Sequence, residues 1–229
     1  MIHELDVPYY IELQRRFEDI SLYISYHESN FGTYSIRIEN LFVDICAFFD
    51  SLCQTFIRNL VMKGHDFIQK GNVKDFDSKI TKKNKFNIVD YYWLLNTNFK
   101  LADRFLNLNI YEDNFYDNPQ RGLPDSVHGY FVHPYKEWCN AAYYPLPHWK
   151  AFTELKHDRL SNMKVATFLN TINALGAVYI ILTLKNEEQF FSGYISEELY
   201  KIFFPKYRDW KWRGRLGSGN ILWEKIKLQ

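Results

Sequence analysis

A chain of 229 residues, 47% apolar and 18% aromatic, has enough hydrophobic mass to pack a core without a metal or disulfide staple. Its formal net charge of +1 excludes a polyelectrolyte, and with that apolar content it excludes a disordered chain. Three cysteines, Cys46, Cys53 and Cys139, form an odd set with no disulfide or metal spacing, which fits a reducing compartment.

Met1 to Asp6 has no basic start followed by an apolar run, so no secretory leader is expected and the cytoplasm is the expected location. Tyr9 to Tyr26 has apolar positions compatible with a helix, with a strand as the alternative around Ile20 to Ile24. From Tyr34 the pattern sharpens. Ile38, Leu41, Phe42, Ile45, Phe49, Leu52, Phe56 and Leu60 recur at three- and four-residue steps and predict a long amphipathic helix that ends near Gly64 or carries on weakly towards Gly71. Asn72 to Lys85 is polar and lysine-rich, which predicts a solvated loop. Phe86 to Leu108 predicts a further helix with Tyr91, Leu95, Phe99 and Phe105 on its apolar face.

Residues 109–147 hold Pro119, Pro124, Pro134, Pro145 and Pro147 among many aromatics, and predict an irregular insertion that is either functional or packed. Pro147 suits the first turn of a helix whose register runs through Arg159, with a turn at Ser161 and Asn162. Val165 to Leu184 is uncharged over about 20 residues, the length that crosses a bilayer. Asn170, Asn173 and three threonines dilute it, so the helix over 164–185 reads as a core helix and no membrane association is expected. Ile195 to Phe204 predicts one short helix, and the alternating tail over 209–228 predicts a β-hairpin. The expected architecture is a single all-α domain over 1–229, a helical bundle with core helices in 33–70 and 147–187, the 109–147 insertion and the small hairpin.

The segment richest in chemistry is Trp149-Lys150-Ala151-Phe152-Thr153-Glu154-Leu155-Lys156-His157-Asp158-Arg159, followed by an alanine-containing apolar helix. It resembles the W-x-x-Y-N-x-x-K-H-[DNS]-R signature of HEPN-like bacterial proteins, with Phe152 and Thr153 at the Tyr-Asn positions. The long helix carrying Asp44 and Asp50 is similar to the first long helix of that superfamily. The resemblance implies a helical bundle of a bacterial defence or toxin–antitoxin system that cleaves RNA without a metal or cofactor. In that mechanism His157 helps to deprotonate a ribose 2′-hydroxyl, Lys156 or Arg159 stabilises charge on the phosphate, and Asp50 or Asp44 orients the imidazole. It also implies a homodimer, RNA as a partner, and an antitoxin or other protein as a further one. The competing expectation is a non-catalytic HEPN-like bundle that serves as a binding or dimerisation module.

Helix geometry bears on both expectations. At about 100° per residue Lys156 and Arg159 share the face of Phe152, whereas His157 and Arg159 diverge by about 200°. His157 joins them only near a fraying helix end or across a dimer interface. An alternative pair, Arg58 and His65, has R-x6-H spacing and would share a helix face about 10 Å apart. In the tail, Lys211, Arg213 and Arg215 alternate with Trp210 and Trp212. They are either phosphate contacts interleaved with base-stacking aromatics, or the wet face of a hairpin that pins its tryptophans. Neither a metal-ligand motif nor a glycine-rich phosphate loop opening a helix is present.

Overall fold

The three- and four-residue apolar rhythm is realised most fully in α2 (Ile36–Met62), which buries Ile38, Phe42, Ile45, Phe49, Leu52 and Phe56. The Ser35 hydroxyl accepts a hydrogen bond from the Ile38 amide at 3.2 Å and starts the helix. Gly64, left-handed at φ 78°, ends it. The amides of Gly64 and His65 donate to the carbonyls of Val61 and Leu60, a Schellman turn. The computed structural model describes residues 5–82, 85–108, 131–187, 199, 202–206, 210–215 and 221–225, the last two stretches and 204–206 as backbone alone.

The chain divides into two compact units, Met1–Arg104 with His133–Lys185, and Phe105–Val132 with Asn186–Gln229. Each unit is built from two separate stretches, so no single linker marks a boundary in the sequence.

In the first unit, α1 (Asp6–Ser21), α2, α6 (Pro147–His157) and α8 (Phe168–Lys185) pack on one another, and α8 touches the other three. Phe168, Ile172, Leu175, Val178 and Ile181 are buried as their spacing predicts, while Val165 and Leu169 are half-buried. The polar residues of α8 are accommodated because Thr171 and Asn173 donate to the carbonyls of Thr167 and Leu169 four residues back. Both α2 and α8 are long and apolar enough to cross a membrane, and most of each is buried inside the unit. Lys185, in the last turn of α8, pairs with Asp6 in the first turn of α1, so each charge sits at the favourable pole of its own helix.

α1 ends at Ser21 and no strand forms over 20–24, so the helical alternative holds there; later stretches depart from expectation. The lysine-rich stretch expected as a loop contains α3 (Phe76–Thr81), held because Lys79 Nζ pairs with the buried Asp90 at 2.5 Å. Asp90 also completes a capping box with Asn87 at the start of α4 (Ile88–Tyr91). The helical run continues through a π turn, Tyr92–Asn96, and α5 (Thr97–Phe99). It stops at Lys100, which is left-handed at φ 49°.

Beyond that break Phe105–Leu108 is not helical but strand β1, in the second unit. It lies between β2 (Phe131–Val132) and β3 (Phe203–Lys206), antiparallel to both, with Leu106 opposite Val132 on one side and Pro205 on the other. Pro205 is tolerated because β3 is an edge strand. This sheet corrects the all-α expectation: the chain is mostly helical with added strands. It also corrects the helix expected over 195–204, whose end is β3; residues 195–198, 200 and 201 lie outside the described residues, as does the insertion from 109 to 130. The predicted hairpin is present as β4 (Trp210–Arg215) paired antiparallel with β5 (Ile221–Lys225), Trp212 opposite Trp223.

Candidate functional site

α6 begins as its sequence dictates, with Pro147 in the first turn, but it does not run on through Arg159. Asp158 leaves helical geometry at φ −152°, ψ 94°, and becomes the cap of the short helix α7 (Arg159–Asn162), accepting the Ser161 amide at 3.1 Å. The Ser161 hydroxyl and amide beside it hold the Asp158 carboxyl below the usual carboxylate range. Lys156, His157 and Arg159 therefore sit on either side of a break, not on one regular helix.

All three are exposed, yet they face different tasks. The Lys156 ammonium lies 5.2 Å from the centre of the Phe152 ring one turn back. Arg159 reaches across to α2: Nε lies 2.5 Å from Glu39 Oε1, and Nη2 donates to Glu39 Oε2 at 2.9 Å and to Asn40 Oδ1 at 2.5 Å. The Glu39 side chain is 4% exposed against 54% for Arg159, so this is a buried carboxylate paired with a guanidinium from the surface, whose Nη2 bridges Glu39 and Asn40. Glu39 holds the Arg159 guanidinium's proton more firmly than usual. The His157 side chain makes no hydrogen bond to any described residue.

The carboxylates expected to orient His157 are engaged elsewhere. Asp44 pairs with Arg16 of α1 at 2.8 Å. Asp50 Oδ1 accepts the Tyr91 hydroxyl at 2.6 Å. Tyr91 in turn accepts from Gln54 Nε2 at 2.8 Å, and Gln54 brackets the main chain of Phe86, donating to its carbonyl and accepting from its amide. Burial and the nearby Cys53 and Asp50 push the Tyr91 hydroxyl far up. Asp50 thus belongs to a network that ties α2 to the segment before α4.

The alternative pair is separated by the Schellman turn. α2 ends at Met62, so His65 lies beyond the helix and not on the face of Arg58. The His65 ring stacks on Phe99 at 5.8 Å and meets Phe67 edge-on at 4.8 Å, while the Arg58 guanidinium lies 6.0 Å from the Phe86 ring centre. Of Lys211, Arg213 and Arg215 only the backbone is described: Lys211 is opposite Glu224, Arg215 is opposite Ile221, and Arg213 falls at an irregularity in the pairing.

Two features escape a motif-based reading. Glu39 continues the buried stripe of Phe42, Cys46, Phe49 and Cys53, and a carboxylate on such a stripe signals a partner cation from elsewhere. His148 likewise continues the stripe of Ala151, Phe152 and Leu155. It is 2% exposed, lies 6.5 Å edge-on to Phe49, and neither ring nitrogen has a hydrogen-bond partner among the described residues. Burial pushes its pKa down to about 3. Among the described residues no group of three or more His, Cys, Asp or Glu side chains gathers as a metal site. In comparisons with known proteins no family model, no curated protein and no solved structure matches this chain.

Proposed function

We propose that this chain is an HEPN-like helical protein acting in the cytoplasm as a dimerisation and binding module of a bacterial defence or toxin–antitoxin system. It does not cut RNA by itself. The observation that carries this reading is the Arg159 fork on Glu39 and Asn40, which commits the motif's arginine to holding α7 against α2. Withdrawing it would leave a buried carboxylate without its counter-charge, a costly state that a passing phosphate has no means to offset. Asp50 and the Arg58–His65 pair are also engaged in separate contacts.

A metal-independent endoribonuclease is the second reading, favoured by the break at Asp158, which frees His157 from the helix geometry that would point it away from Arg159. Incubation of the purified chain with single-stranded RNA in EDTA, alongside sedimentation at micromolar concentration, separates the two. The module reading expects a dimer and intact RNA. RNA cut to 2′,3′-cyclic phosphate ends, with activity falling about 100-fold or more in His157→Ala, would replace it with the ribonuclease.

A further inference from the structure

The end of α1 and the start of α2 line an open apolar cleft of about 320 Å³, formed by Ile20, Tyr23, Ile24, Ser35 and Arg37. Tyr23 of the lining is 82% exposed, and Leu22 and Ile36, next in sequence to lining residues, are 78% and 66% exposed. Neighbouring exposed apolar groups of this size mark an interaction surface more often than chance scatter.

Two charges on the same end of the first unit are in poor local positions. Arg37 is in the first turn of α2, at the positive pole of a 27-residue helix. Asp19 is in the last turn of α1, at the negative pole. Each therefore opposes its own helix dipole. Both are exposed, and neither side chain makes an ion pair or hydrogen bond with any described residue. By contrast Arg16, Arg104 and Arg159 of this unit each bond to an acceptor within it.

We propose that this face is the surface on which a second copy of the chain docks, with Arg37 of each protomer pairing with Asp19 of the other across a centre formed by Tyr23, Leu22 and Ile36. A two-fold interface must be self-complementary, and one uncompensated cation in the cleft lining with one uncompensated anion next in sequence to the lining residue Ile20 meet that requirement. Each intermolecular pair relieves two unfavourable charge–dipole contacts, and Tyr and Arg are residue types that interfaces favour. The inference rests on the dimerisation reading above and adds the surface to it.

The full chain is examined by sedimentation velocity over a concentration series, with circular dichroism confirming that each variant is folded. The wild type is expected to dimerise at about 10 μM, and Arg37→Asp and Asp19→Arg each to raise the dissociation constant about tenfold or more by placing like charges together. The double variant Asp19→Arg/Arg37→Asp restores the opposite-charge pairs and is expected to return to within about threefold of wild type. A wild-type monomer at about 50 μM overturns both this surface and the dimerisation reading. A dimer indifferent to both single reversals overturns the surface and leaves dimerisation standing, and a double variant as weak as the singles overturns the Arg37–Asp19 pairing.

Discussion

His148 and His157 stand near opposite ends of the same eleven-residue helix, nine positions apart, which turns them to roughly opposite faces. One imidazole is sealed against Phe49 and held neutral by burial; the other is open to water at a break in the chain. The difference lies in what each face of α6 meets, not in the residue type. The inward end is an aromatic cluster in which Phe49 alone contacts Tyr91, Tyr135, His148 and Trp149. The outward end is a polar corner, where Arg159 and Glu39 supply the attachment and apolar burial is slight. A histidine gains chemical reach at the second end and loses it at the first.

The contrast can be broken most severely at the inward end. Phe49→Ala should cost about 3–5 kcal/mol in chemical denaturation, the range for emptying a buried aromatic site. A loss below about 1 kcal/mol would mean that the cluster is loosely packed and that His148 is not sealed.

Acid sharpens the same contrast. The unfolded chain takes up the His148 proton near pH 6.5, whereas the folded chain does so only near pH 3. Between those values the unfolded state binds the extra proton, so stability is fully present above pH 6.5 and falls as the pH drops towards 3. His148→Leu should remove about 2–3 kcal/mol of the stability lost between pH 7 and pH 4.5, the carboxylates and other histidines titrating alike in both proteins. Equal acid sensitivity in the two would show that this imidazole reaches water.

At the outward end the effects should be smaller. Arg159→Ala is expected to lower the thermal midpoint, because it strands the buried Glu39 carboxylate, and Glu39→Gln to lower it less, because the amide oxygen can still accept from the guanidinium. The double variant should lose less than the sum of the two, the signature of a coupled pair. Last, His157→Ala should leave stability within about 0.5 kcal/mol of wild type, as befits an exposed side chain.

What the sequence displays of this fold is what neighbouring residues decide among themselves. The apolar rhythm of α2, its stop at Gly64, Pro147 at the start of α6 and the Trp-rich hairpin are all local, and all are present. The strand Phe105–Leu108 escapes because its partners come from distant segments and four residues carry too little alternation to outweigh a preceding helix. α3 escapes for a related reason: its Lys79 answers an aspartate eleven residues on, so composition alone made it look solvated. At the candidate site the motif residues are legible and their use is not. Glu39 and Arg159 meet across 120 positions, and only that meeting turns a potential phosphate ligand into a clasp.

The alternation of the chain between its two units imposes a schedule on biosynthesis. β1 emerges early, but its partner β3 follows roughly 100 residues later, after α6, α7 and α8 have been made. At about 5–20 residues per second a ribosome holds β1 without that edge for roughly 5–20 s. During this interval Phe105, Leu106 and Leu108 are a short apolar segment with one flank unpaired, a window in which a holdase or a neighbouring nascent chain has access to it.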